Sequence, residues 1–309
     1  MVLARYLVAL LAMAVFAACG EGKPRGAAPE PSLEQTGRLS VYVVNYPLQY
    51  FAERIGGDDV DVIFPAPPDE DPAYWSPDPE VIAAYQGADL ILLNGAGYAA
   101  WVQRASLPQT RLVDTSAGFP DQLIPLEAGV THSHGPEGAH THTGKAFTTW
   151  LDPSLAILQA QVVRDAFAKA CPDREAAFQR GFESLEADLL ELDQRITTAA
   201  EAIGDAPLLF SHPVYQYLIR RYRLNARSVH WEPDQPPTET MWRELEELIA
   251  DHPAEWMVWE DEPGKDTMAR LEAMGLGSVV FEPCGNAPEE GDFLRVMREN
   301  AAGLVRDLR

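Results

Sequence analysis

From residue 39 onward the hydrophobic period of the chain switches back and forth between that of a strand and that of a helix. Leu39 to Asn45 is a strand-like run ending at Tyr46-Pro47, and Leu48 to Ile55 then reads as a helix stopped by Gly56-Gly57. Val60 to Phe64 predicts a second strand and Pro79 to Gln86 a helix. Ala88 to Asn94 predicts a third strand, closed by Gly95-Ala96-Gly97. The same alternation resumes after Pro207, with strands at Leu208 to Ser211, Ala226 to His230, Trp256 to Trp259 and Ser278 to Phe281. Helices fall between them at Val214 to Tyr222, Glu239 to Ala250 and Lys265 to Met274. Strands alternating with helices imply parallel sheets, so the expected fold class is α/β with two doubly wound lobes.

Between the two alternating regions the pattern is different. Phe178, Phe182, Leu185, Leu189, Leu192, Ile196, Ala199 and Ile203 recur at spacings of three and four, which is one continuous apolar stripe on a helix. A helix over 172–204 would be on the order of 45 Å long. The stripe is too short for a sustained coiled coil and ends at Gly204 ahead of Pro207. It predicts one long connector helix bridging an N-terminal lobe over 38–171 and a C-terminal lobe over 205–309.

The first 37 residues belong to neither lobe. Arg5 precedes an apolar run from Tyr6 to Phe16 that ends in Ala17-Ala18-Cys19, the order of a secretory signal peptide over 1–18. The run is too short to span a bilayer. A cysteine placed directly after small residues resembles the lipobox of bacterial lipoproteins, with Phe16 where Leu is usual. That resemblance implies an acylated Cys19 and attachment to a membrane. Residues 19–37, rich in Pro, Gly, Ala and Glu, read as a flexible tether.

A formal charge of −23 argues against nucleic acid or anionic lipid as partners and is compatible with attracting cations. Once Cys19 is set aside, Cys171 and Cys284 are the remaining thiols. They could form one disulfide in an oxidising compartment, but the sequence does not pair them. Four of the seven histidines, His132, His134, His140 and His142, crowd into a Gly-rich tract within residues 131–145. Neutral imidazole is the commonest side-chain ligand for zinc, so the tract points to metal handling; the plainer reading is a solvated, irregular polar loop.

A WLDP sequence follows at Trp150 to Pro153. In order, YPLQYFAERIGG, PDEDPAYWSPDP, ADLILLNGAGYAAWV, the His tract, WLDPSLAILQAQVV, the long stripe and SHPVYQYLIRRYRL resemble the zinc and manganese solute-binding lipoproteins of ABC importers. The resemblance covers nearly the whole chain after residue 38. It implies two (β/α) lobes joined by one long helix, a divalent metal held between them, and delivery to a membrane permease.

The resemblance also implies four ligand positions. His212 matches the third, and Glu282 stands at the fourth, where Asp is common. The first two depart, with Ala73 in place of a histidine and Thr148 two residues before Trp150. A closed zinc site wants four N, O or S donors, and alanine supplies none. Three accounts stay open. The His tract could fold back and donate imidazoles. Asp71, Glu260 or Cys284 could complete the site. Or Tyr74, Trp75 and Trp231 could line a pocket for an organic solute or a metal chelate. His230 and Glu232 also follow a strand and could reach the same region, whereas His252 at a polar helix end reads as solvated.

The sequence contains no Gly-x-Ser-x-Gly elbow, His-Glu-x-x-His helix or Gly-rich phosphate loop, so an enzyme is not expected; a metallohydrolase is the weaker alternative and a surface adhesin another. The expected function is capture of zinc, with manganese second, by a monomeric lipid-anchored binding protein outside the cytoplasm. Imidazoles favour zinc over manganese, which prefers oxygen-rich sites.

Overall fold

The computed structural model describes residues 37–126, 131–133, 139–141 and 144–307. In the first lobe β1 (Leu39–Val43) buries Leu39, Val41 and Val43 and leaves the alternate positions half-exposed. The chain turns at Asn45, whose side-chain oxygen accepts from Leu48 N at 3.2 Å and so caps α1 (Tyr46–Gly56), with Pro47 in its first turn. Gly57, at φ +51°, ends that helix in a conformation other residues resist. β2 (Val60–Ile63), α2 (Pro79–Gly87), β3 (Leu90–Leu93) and β4 (Leu112–Asp114) complete the sheet, which is parallel throughout in the order β2-β1-β3-β4.

A short antiparallel ladder follows, β5 (Thr131–Ser133) against β6 (Ala139–Thr141), which places His132 directly opposite His140. The tract is therefore not wholly irregular, as its glycines suggest. His134 and His142 lie outside the described residues, as do Cys19, the signal segment and nearly all of the tether. The Asp152 side chain then caps α3 (Pro153–Ala170) by accepting from Ser154 N at 3.0 Å.

α4 (Glu175–Ile203) is the connector, entered through one tight helical turn at Pro172–Arg174. Its eight buried side chains are the eight of the predicted stripe, packed against α1 and α3. In the second lobe β7 (Leu208–Phe210), α5 (Gln216–Tyr222), β8 (Ala226–Ser228), α6 (Glu239–Asp251), β9 (Trp256–Trp259), α7 (Lys265–Ala273) and β10 (Gly277–Val280) form a parallel sheet in the order β10-β9-β7-β8. The last helix, α8 (Phe293–Asp307), runs back onto α4. Phe293 packs tilted against Tyr50 and edge-on to Phe51 of α1, so this helix closes over the first lobe as well.

Periodicity alone did not single out β4, α3 or α8. β4 has three residues and none of them is fully buried, so it carries little alternation to read. The disulfide left open by the sequence is absent, and one expectation changes. Cys171 and Cys284 are both free thiols, the first half-buried near the end of α3 and the second buried after β10. His252 is buried, and its Nε2 lies 3.1 Å from Leu208 O, so the ring packs under β7 instead of facing water.

Candidate metal centre

In parallel α/β sheets ligands bind beyond the carboxyl ends of the strands, and the second lobe gathers its donors there. Past the end of β7 the ladder runs one residue further, with Ser211 N donating to Val258 O at 2.8 Å. The chain then turns at His212-Pro213, which leaves the His212 ring 5% exposed. Beyond β8, Val229 N donates to Phe210 O and Trp231 N to Ser211 O, at 2.9 and 2.7 Å. Those two bonds bring His230 and Glu232 alongside His212. Glu260 follows the last residue of β9. Since β7 lies between β8 and β9, three adjacent strands deliver His212, Glu232 and Glu260 to one place.

One ligand atom from each of these three residues lies within 4.8 Å of the others. His212 Nδ1 and Glu232 Oε1 are 3.5 Å apart. The His230 ring stands edge-on to that of His212 at 5.9 Å between centroids, on the exposed side. One imidazole and two carboxylates match the charge of a divalent cation and offer mixed nitrogen and oxygen donors.

The first lobe contributes from the segment between β2 and α2. Tyr74 N and Trp75 N both donate to Asp71 O, and Ala73 N donates to the Asp71 side chain at 2.9 Å, which makes a compact turn. Burial raises the Tyr74 phenol above its ordinary range, and the carboxylates of Asp71, Glu232 and Glu260 raise it further. Phe147 backs Tyr74 edge-on at 6.4 Å, and Trp75 meets Trp101 in the same way at 6.4 Å.

Glu282 is not among the three that meet. It follows β10, separated from β7 by β9, and Asn300 of α8 holds its backbone: Glu282 N donates to Asn300 Oδ1 at 3.1 Å and Glu282 O accepts from Asn300 Nδ2 at 2.8 Å. Burial raises its carboxyl pKa, followed by the charges of Asp261 and Glu289. Cys284 is buried with its thiol pushed up, first by burial and then by Glu282 and Asp292, and it is not part of the cluster either. Trp231 does not line a pocket: it is 2% exposed and packs on Trp242 and Trp259 in the second lobe's own core. Trp259 likewise is core.

The two substituted positions carry structure. Ala73 is buried against Asp71's turn. Thr148 is buried too, and its hydroxyl donates to Val214 O, two residues past His212, so it ties the first lobe to the strand end that bears the histidine. Sequence reading weighed Glu232 and Glu260 but ranked Glu282 above them; the order of strands, which no local pattern encodes, puts the first two beside His212.

Residues 41–306 match the model of the zinc-uptake complex component A periplasmic family, ZnuA. The chain belongs to this family. It is a family of zinc-uptake binding components and not of enzymes. The high-affinity zinc uptake system protein ZnuA of Bacillus subtilis is 27% identical over 306 residues, which cover 94% of this chain and 93% of that protein. The zinc-binding lipoprotein AdcA of Streptococcus pneumoniae is 22% identical over 87% of this chain, and the match spans 55% of AdcA's length. Among solved structures, the metal-dependent lipoprotein YcdH from B. subtilis superposes with a TM-score of 0.74 at 23% identity, covering 87% of this chain and 98% of its own. The Zn(II)-bound ZnuA-like domain of S. pneumoniae AdcA gives 0.74 at 19% identity over the same shares. At these identities the superpositions establish the shared fold.

Proposed function

We propose that this ZnuA-family chain captures a zinc ion between its lobes, at His212, Glu232 and Glu260, and hands it to the permease of an ABC importer. The observation that carries the reading is the meeting of three donors from three adjacent strand ends within 4.8 Å. Two donors on a tetrahedral zinc with bonds of about 2.05 Å stand about 3.3 Å apart. The 3.5 Å between His212 Nδ1 and Glu232 Oε1 is close to that spacing. Two carboxylates supply the charge that offsets the cation's loss of water.

The fourth position falls to Asp71 from the first lobe, to His230, or to water. The reading favours zinc because relatives carry zinc in their names. Its oxygen-rich donor set makes manganese the competitor to test. Of the three ways to replace the ligands absent at Ala73 and Thr148, new carboxylates have the support of geometry. The tract around His132 and His140 then serves as a separate, weaker collecting site. Residues 1–18 act as the export signal and Cys19 as the lipid anchor of residues 19–37, so the two lobes and their connector work as a monomer outside the cytoplasm. Calorimetry on chelator-stripped mature protein tests the reading: one tight zinc per chain is expected, and no heat of binding at micromolar zinc would overturn it.

A further inference from the structure

The segment of residues 64–78 carries Pro65, Pro67, Pro68, Pro72 and Pro77, none of which has an N–H to donate. Several of its remaining amides turn back on the segment itself. Glu70 N donates to Pro67 O at 3.3 Å, and Tyr74 N and Trp75 N to Asp71 O at 3.0 and 2.8 Å. A strap of this composition has few donors left with which to grip its surroundings. Its carbonyls are therefore open to donors from elsewhere.

Asn286, in the loop after β10 of the other lobe, supplies two. Its Nδ2 donates to Pro67 O at 2.7 Å and to Glu70 O at 2.9 Å. Its Oδ1 accepts from Ala287 N at 2.8 Å, which fixes the amide so that its donor end faces the strap. The loop bearing Asn286 is anchored in turn by the first lobe, since Trp150 Nε1 donates to Pro283 O at 2.7 Å and Tyr46 N to Gly285 O at 3.1 Å. Asn286 thus clasps both ends of the Pro67–Glu70 turn from a fixed base, and the residues that follow are Asp71 and Tyr74.

Resting on the metal-capture reading, we infer that Asn286 is a positioning residue: it ties the strap bearing Asp71 and Tyr74 to the lobe that carries His212, Glu232 and Glu260, and so slows release of the captured ion. An amide is suited to this and a carboxylate is not. Asp at this position has nearly the same shape but would turn oxygens toward two carbonyl oxygens.

The test uses the full mature chain with zinc as probe. N286D and N286A are compared with the parent for the rate of zinc transfer to excess chromogenic chelator, and for hydrogen exchange of residues 69–75 in the metal-free protein. N300A serves as a control, because it also removes two side-chain bonds to backbone, both to Glu282 and neither to the strap. Both Asn286 variants should release zinc faster by on the order of tenfold and exchange faster in 69–75. N300A should lower the melting temperature with release unchanged. Parental release and exchange in N286D would overturn the role of Asn286, as would equal acceleration by N300A. A parent that takes up no zinc would overturn the metal-capture reading instead.

Discussion

His212 and Glu232 meet at 3.5 Å, Nδ1 to Oε1, although one follows β7 and the other β8. Two backbone bonds beyond the strand ends, Val229 N to Phe210 O and Trp231 N to Ser211 O, bring them into register. A third donor, Glu260, arrives from β9 on the other side of β7. The donor set is thus a property of the sheet order, and each member should be separately removable.

Glu232→Gln and Glu260→Gln should each weaken zinc binding by more than about tenfold, since even residues that only orient a ligand contribute about 10 to 100-fold. Glu282→Gln should leave affinity within about twofold. Competition against a chromogenic chelator at fixed pH measures all three. A Glu282→Gln loss equal to that of Glu260→Gln would return the fourth ligand to the end of β10.

Glu282 makes a second prediction, on stability. Burial and the charges of Asp261 and Glu289 raise its folded-state pKa above that of the unfolded chain. A raised carboxyl pKa means the neutral form is favoured by folding, so the stabilisation is present at acid pH and lost as pH rises through the folded value. Glu282→Gln, which cannot ionise, should therefore melt higher than the parent at pH 7. The difference should close once pH falls below the ordinary glutamate range, near 4.3. Thermal melts of metal-free protein across that range would show it; a constant difference at all pH values would contradict it.

Much of the fold was legible because its signals are local. The alternation at Leu39, Val41 and Val43 and the stripe from Phe178 to Ile203 both reappear as buried faces. Asn45 and Asp152 cap helices where the following Pro47 and Pro153 announce a first turn. The proposed site was half legible. His212 follows from its strand end, but the choice between Glu260 and Glu282 depends on which strand lies beside β7, and sequence periodicity is blind to strand order. Asn286 gave no signal, because its partners Pro67 and Glu70 lie in the other lobe and offer only backbone carbonyls.

Gly181 lies inside α4, two turns from its start, where alanine would ordinarily stabilise a helix by about 1 kcal/mol. Here a Cβ would stand 2.5 Å from Ile55 O and 2.8 Å from Arg54 O, both backbone atoms at the end of α1. Overpacking against backbone costs about 1–3 kcal/mol, which outweighs the propensity gain. Gly181→Ala should lower the melting temperature by several degrees, roughly 2–4 °C per kcal/mol in a domain of ~200 residues. A rise would mean that α1 and α4 separate more freely than their packing implies.

The proposed lipid anchor rests on Cys19, and the proposed export on the residues before it. Cys19→Ser should leave the protein outside the cytoplasm but in the soluble fraction, because acyl chains supply the attachment. Fractionation of cells expressing each form reads the result, and a serine variant that still sediments with membranes would contradict lipid anchoring.

The most direct measurement is zinc titration calorimetry on three chelator-stripped proteins: the parent, His212→Ala, and a deletion of residues 132–142. If His212, Glu232 and Glu260 hold the ion, the parent binds one zinc tightly, the deletion keeps that tight site and loses only weaker binding, and His212→Ala abolishes it. If His212→Ala binds zinc as tightly as the parent, or the deletion alone removes the tight site, the strand-end cluster is not where this protein holds its metal.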